Sequence, residues 1–129
     1  YLLQLTNPSG TSKTLYLYKF SLSTSGTGTG INIQFIRNGS FPGAGTSVTP
    51  ANTNFASTVP SVATFKHGTG SPSGTTIILT TLQSSQIYTE DINSVITMPP
   101  NTTLLIQINN TLLSLQSIAI NLFWYEVLN

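Results

Sequence analysis

The sequence predicts an all-β fold, a single β-sandwich of jelly-roll or Greek-key type with about eight antiparallel strands. Three observations predict it. Apolar and polar residues alternate at period two from one end of the chain to the other, no stretch sustains the i, i+3, i+4 spacing of an amphipathic helix, and Gly/Pro-rich segments interrupt the alternation at strand-length intervals. The 129 residues make one domain, residues 1–129, long enough to bury a core without disulfides or metals.

The first strand is Leu2 to Thr6, closed by Asn7-Pro8-Ser9-Gly10, whose Pro and Gly favour a turn. In the second, Lys13 to Ser23, strict alternation puts Tyr16, Tyr18, Phe20 and Leu22 on one face and Leu15, Leu17, Lys19 and Ser21 on the other. Residues 25 to 30, Ser/Thr alternating with Gly, cannot pack a core and form a loop. Ile31, Ile33 and Phe35 line the third strand, which the Asn38-Gly39 turn signal closes. The stretch from Ser40 to Pro60, rich in Pro and Gly, is a crossover between sheets. Strands follow at Ser61 to Lys66 and Thr75 to Gln83, with a loop from His67 to Gly74 between them. The next spans Gln86 to Thr97, with a break near Glu90 to Asn93. Met98-Pro99-Pro100-Asn101 must then be a turn or an edge, because proline cannot donate to a ladder. Leu104, Ile106 and Ile108 give the following strand its core face, a helical turn is expected at Thr111 to Leu115, and Ile118, Ile120, Leu122 and Trp124 give the last strand, Ser117 to Val127, its own. Both triads, Leu104/Ile106/Ile108 and Ile118/Ile120/Leu122, are expected to point into the sandwich. No internal repeat is present, which argues against a solenoid or propeller.

Composition excludes several functions. Only 5% of residues are charged, four basic and three acidic, for a net charge of +1, against roughly 25% charged in average soluble proteins. Lys13, Lys19, Arg37 and Lys66 are scattered rather than clustered, so no nucleic-acid footprint is expected. With no cysteine, thiol catalysis, thiolate metal sites and disulfides fall away together. No run reaches the roughly 18 apolar residues of a membrane span, and no basic segment followed by an apolar one marks a signal peptide. The start at Tyr1 reads as a processed product, a cut domain or the ordered part of something longer, with room for an upstream targeting segment.

Acid–base chemistry would have to come from His67, Glu90, Asp91 and Glu126. His67 precedes a glycine in a loop and has no evident partner. Glu90 and Asp91 are adjacent, so on a strand they point to opposite faces and cannot flank one bond; they read as solvated charges that keep an edge strand from mispairing. Glu126 is placed to pair with a lysine. A hard cation wants six to eight oxygen ligands and zinc wants His or Cys, and neither set is available, so no cofactor or metal is expected. The glycines at 26, 28 and 30 lead into a strand and not a helix, which removes the phosphate-loop reading. The sequons at Asn38, Asn101 and Asn109 are what chance gives in so Ser/Thr/Asn-rich a chain. Tyr16, Tyr18, Trp124 and Tyr125 remain as candidate ligand or interface contacts, set against the reading that the aromatic residues of these strands are core.

The turn-rich Ser/Thr/Asn composition, the Pro-Pro-Asn-Thr-Thr-Leu-Leu-Ile-Gln-Ile start of a late strand and the closing Ile-Asn-Leu-Phe-Trp-Tyr-Glu-Val resemble jelly-roll subunits of phage virions and bacterial surface fibres. That resemblance implies a structural or attachment role outside the cell or on a virion, and no catalytic residues. Two further points lead to the same expectation of a homo-oligomer or filament built from copies of this chain. A low-charge surface has little to oppose its own association. Segments such as Thr76 to Leu82 and Leu104 to Ile108 carry apolar residues on both faces, so another subunit is expected to cover the second face. A carbohydrate-binding module, attached to cell-surface glycan through its aromatic residues, is the alternative.

Overall fold

The computed structural model describes residues 1–25, 30–53, 55–82, 87–110 and 117–129. Two antiparallel sheets pack face to face. The larger has six strands in the order β4 (Thr46–Val48), β5 (Thr64–Gly68), β1 (Leu2–Asn7), β8 (Thr102–Asn110), β3 (Ile31–Ser40) and β6 (Ser73–Leu82). The smaller has three, β7 (Ile87–Met98), β2 (Lys13–Ser25) and β9 (Ser117–Leu128). The all-β sandwich matches the sequence expectation, with nine strands among the described residues rather than about eight.

The antiparallel pairings β1 with β8, β2 with β7, β3 with β6 and β4 with β5 are those of one long hairpin wound into a sandwich, the jelly-roll scheme. Two departures shape the molecule. The β4–β5 pair, which that winding would place beside β7, joins the edge of β1 instead, and β9 adds to the free side of β2. Six strands therefore face three.

Asn7 fixes the first change of sheet. Fully buried, its Nδ2 donates to the carbonyls of Lys13 (2.8 Å) and Met98 (2.9 Å), and its Oδ1 accepts from Thr11 Oγ1 (2.9 Å), so the turn after β1 is tied to both β2 and the end of β7. The Pro99-Pro100 turn ends β7 at Met98 and β8 begins at Thr102, as the sequence predicts.

The core lies between the sheets. Leu3 and Leu5 of β1, Ile31, Ile33 and Phe35 of β3 and Leu104, Ile106 and Ile108 of β8 meet Leu15, Leu17, Phe20 and Leu22 of β2. Phe20 packs edge-on against Phe35, with centroids 5.2 Å apart and planes at 81°. The Leu104/Ile106/Ile108 triad is buried as expected, whereas Ile118, Ile120 and Leu122 are only half-buried, packed against the core from its margin.

Several expectations are corrected. Tyr16 and Tyr18 do not share a face with Phe20 and Leu22: the register slips between Leu17 and Lys19, where Tyr18 is an extra residue. Such a bulge reverses the parity of everything beyond it. Leu15 and Leu17 point inward before it, Phe20 and Leu22 after it, and both tyrosines point outward. Asn38-Gly39 does not end β3; Asn38, at φ 50°, makes an irregularity through which β3 continues to Ser40. The expected crossover between Ser40 and Pro60 contains β4, and β5 runs later than predicted, taking His67 and Gly68 from the expected loop. The break expected near Glu90 to Asn93 does not divide the strand: β7 runs unbroken from Ile87 to Met98 with Glu90 and Asp91 paired, and a register shift follows between Asp91, opposite Lys19, and Ile96, opposite Leu17. The expected helical turn at Thr111 to Leu115 lies outside the described residues.

The second face of β8 is covered by its own chain and not by a further subunit. Leu2, Ile36 and Leu105 are buried on the outer side of the large sheet. Backbone at two glycines lies against them: a Cβ on Gly39 would stand 2.7 Å from Leu105 Cδ1, and one on Gly74 2.6 Å from Ile36 Cγ2. Phe41 follows, packed on Gly45 and Gly68 beneath the Lys66 ammonium, 4.3 Å from the ring centroid. On β6, Ile77 and Leu79 remain exposed.

Candidate interaction site

Outward-facing residues of β2 and β9 form an aromatic row on the small sheet. Because the bulge turns Tyr16 and Tyr18 outward, Tyr16 meets its cross-strand partner Tyr125 with centroids 5.2 Å apart and planes within 10°. Tyr18 meets Phe123 at 5.8 Å and 41°. Tyr18 is 42% exposed and Tyr125 46%, and Val127 on β9 and Val95 on β7 extend the apolar surface. Lys19 and Asp91 stand opposite each other in the ladder and supply the charge of this face. At 5.2 Å two nearly parallel rings are too close to lie edge to edge in one plane, so Tyr16 and Tyr125 turn faces toward each other and edges outward. A flat platform for a sugar ring needs the opposite arrangement.

Of the four residues singled out from the sequence, Tyr16, Tyr18 and Tyr125 come together here. Trp124 does not. It lies opposite Leu17 on the inner side of β9, half-buried. There it faces a groove of about 1130 Å³, lined on one side by Ile118, Ile120, Leu122 and Trp124 of β9 and on the other by residues that include Phe65 and His67 of β5. The groove lies between the inner face of β9 and residues of β1, β5 and β4 in the six-stranded sheet, Leu3, Phe65, His67 and Val48 among them.

Pro50 to Thr53 and Ser57, Val59, Pro60 and Ser61 line a further side of the groove, and Glu126 anchors the last of these. One carboxylate oxygen accepts from the Ser61 hydroxyl and from the Val62 N–H at 3.0 Å, and the other from Lys13 Nζ at 3.0 Å. Burial alone would raise the pKa of this carboxyl; the hydrogen bonds from Ser61, Lys13 and Val62 and the lysine charge outweigh it, and the group sits below its ordinary value. Pairing with a lysine was expected; the bonds to residues more than sixty positions away had no local signal. At the other end Tyr1 and His67 stack at 5.6 Å and share a hydrogen bond of 2.8 Å.

His67 stands on the large sheet, while Glu90 and Asp91 belong to β7 at the far edge of the small one. Among the described residues, no three His, Cys, Asp or Glu side chains gather where they could hold a metal ion. No helix among them is long and apolar enough to cross a membrane. Comparison with protein-family models, with curated proteins and with solved structures finds no match.

Proposed function

We propose that this chain is a non-enzymatic structural subunit that assembles with copies of itself in an extracellular or virion surface structure, meeting its neighbour through the outer face of the three-stranded sheet. The observation that carries the reading is the exposed aromatic row Tyr16/Tyr125 and Tyr18/Phe123 on a sheet face with almost no charge. Size supports it too. Strands of 12 residues at about 3.3 Å per residue, three of them about 4.8 Å apart, give a face of roughly 40 by 14 Å. Two such faces together would bury on the order of 1,100 Å², above the roughly 1,000 Å² that a specific contact needs. The sugar-binding alternative loses ground because Tyr16 and Tyr125 spend their ring faces on each other.

Sedimentation velocity at micromolar chain, in dilute buffer and in about 1 M salt where the Debye length is about 3 Å, tests it. An uncharged contact persists in both. The double variant Tyr18→Lys/Tyr125→Lys, which changes only exposed positions, is expected to be monomeric and folded. A wild-type monomer in both buffers overturns the reading, as does assembly that the double variant leaves intact.

A further inference from the structure

Sheet edges invite strand addition, and folds blunt them with short strands, bulges or charge. Three of the four edges among the described residues are blunted in this way. β4 has three residues. β6 carries an extra residue, Ile77, against β3 and a second register shift beyond it. β7 places Ile92 to Val95 opposite the single residue Tyr18 and carries Glu90 and Asp91. The fourth edge, β9, has none of these devices. Its 12 residues contain no Pro or Gly, and its one charge, Glu126, is turned inward to Lys13 and Ser61. The bulge opposite belongs to β2, so β9 passes it with consecutive residues, Trp124 opposite Leu17 and Phe123 opposite Lys19.

Alongside this open edge lies the groove, roofed by β5 and β4. We propose that β9 is a strand-acceptor site: an extended, uncharged polypeptide segment adds antiparallel to it as a fourth strand and inserts apolar side chains, at alternate positions, into the groove. Four facts select that occupant. The charged groups lining the groove, Lys13 and Glu126, neutralise each other at 3.0 Å, and His67 is bonded to Tyr1, so nothing there calls for a charged guest. The apolar wall of Ile118, Ile120, Leu122 and Trp124 matches period-two side chains. Its volume of about 1130 Å³ leaves room for several such side chains. An edge contact about 40 Å long and about 10 Å deep covers only on the order of 800 Å² in total, below what a specific complex needs, so the side chains entering the groove must supply the rest.

Two β9 edges related by a two-fold axis would bring both large sheets to one side of the joined sheet, where the second copy's inward side chains already line its own groove. The guest proposed here is therefore a segment outside its own sandwich; the groove it enters also reaches Tyr18, Phe123 and Tyr125.

The test exploits the single tryptophan of the chain, Trp124, which lines the groove. The full chain is titrated with a synthetic peptide of residues 117–128 carrying W124F and E126Q, so that only the protein fluoresces. A saturable blue shift is expected at micromolar peptide, together with slowed hydrogen exchange of β9 amides. Two further peptides carry N-methyl groups on one or the other set of alternate amides. One set faces β9 and is expected to weaken binding at least tenfold, while the other leaves it within about threefold. No saturable shift, or equal effects of the two methylated sets, overturns the proposal.

Discussion

Deleting one residue from a strand ordinarily turns its side chains beyond the deletion to the wrong face, yet deletion of Tyr18 should leave this sandwich intact. Tyr18 is the surplus residue of the bulge, flanked by Leu17 opposite Trp124 and Lys19 opposite Phe123. Without it Leu17 points in, Lys19 out and Phe20 in, and every pairing with β9 is preserved. The loss is then a partly exposed tyrosine and its contact with Phe123, an aromatic pair worth about 0.5–1.5 kcal/mol. Deletion of Ser21 has no such escape. It forces either Phe20 or Leu22, both fully buried, to the outer face, at about 1.5–3 kcal/mol for the burial lost. In exchange Ser23 or Lys19 turns toward the core, and burying even the serine hydroxyl costs about 1–3 kcal/mol more. The expected losses are therefore about 1 kcal/mol for the first deletion and about 3–6 kcal/mol for the second, a large part of the roughly 5–15 kcal/mol that holds a domain. Urea unfolding followed by Trp124 emission and by circular dichroism measures both. Equal destabilisation by the two deletions would show that Tyr18 is a register position and not a bulge, and the assignment of faces along β2 would fail with it.

Ile106→Ala, at a fully enclosed site, should cost about 2–5 kcal/mol, and Ile120→Ala, at a half-buried groove position, clearly less; the same unfolding curves rank them, and the reverse order would misplace the core. Gly39→Ala should destabilise by about 1–3 kcal/mol, because its Cβ would meet the Ser73 carbonyl oxygen and Leu105 Cδ1; a neutral result would mean that the outer cover over Leu105 is loose. Glu126 has a folded pKa below its ordinary value of 4.5, so its contribution is complete above that value and is lost as pH falls through the folded one. Thermal melts should accordingly change little between about pH 5 and 9 and fall in acid, with Glu126→Gln reducing the acid slope; an unchanged slope would remove Glu126 as its source.

What could be read in the sequence was what depends on neighbours along the chain. Pro99 and Pro100 set the phase of β8, no bulge disturbs it, and Leu104, Ile106 and Ile108 are buried as their alternation implies. In β2 the same alternation gave the wrong face for Tyr16 and Tyr18, because nothing in Leu-Tyr-Leu-Tyr-Lys-Phe marks the residue that will be extra; the bulge is decided by pairing with β7 and β9. The last strand gave Ile118, Ile120, Leu122 and Trp124 one face correctly, but not that this face would look into a groove. That depends on which edge the β4–β5 pair joins. The docking rests on contacts far apart in sequence: Phe41 on Gly68, and Glu126 on Ser61 and Val62.

The open edge and the groove come from two separate departures: β9 adds to the free side of β2, and β4 and β5 join β1. Had β4 and β5 extended the small sheet beside β7, β9 would still have been its opposite edge, but the large sheet would have ended at β1 and lacked the strands that line the groove. Placed beside β1, they form part of the wall that faces β9 across the groove. A sequence indifferent to edge protection would leave all its edges alike, but bulges, brevity and two carboxylates mark the other three. Lysine, the usual edge guard, is present at positions 13, 19 and 66 and absent from β9, whose single charge is folded inward to hold the wall of the groove. The pattern is selective: association is discouraged at three borders and left open at the one where a strand would find both a hydrogen-bonding partner and a place for its side chains.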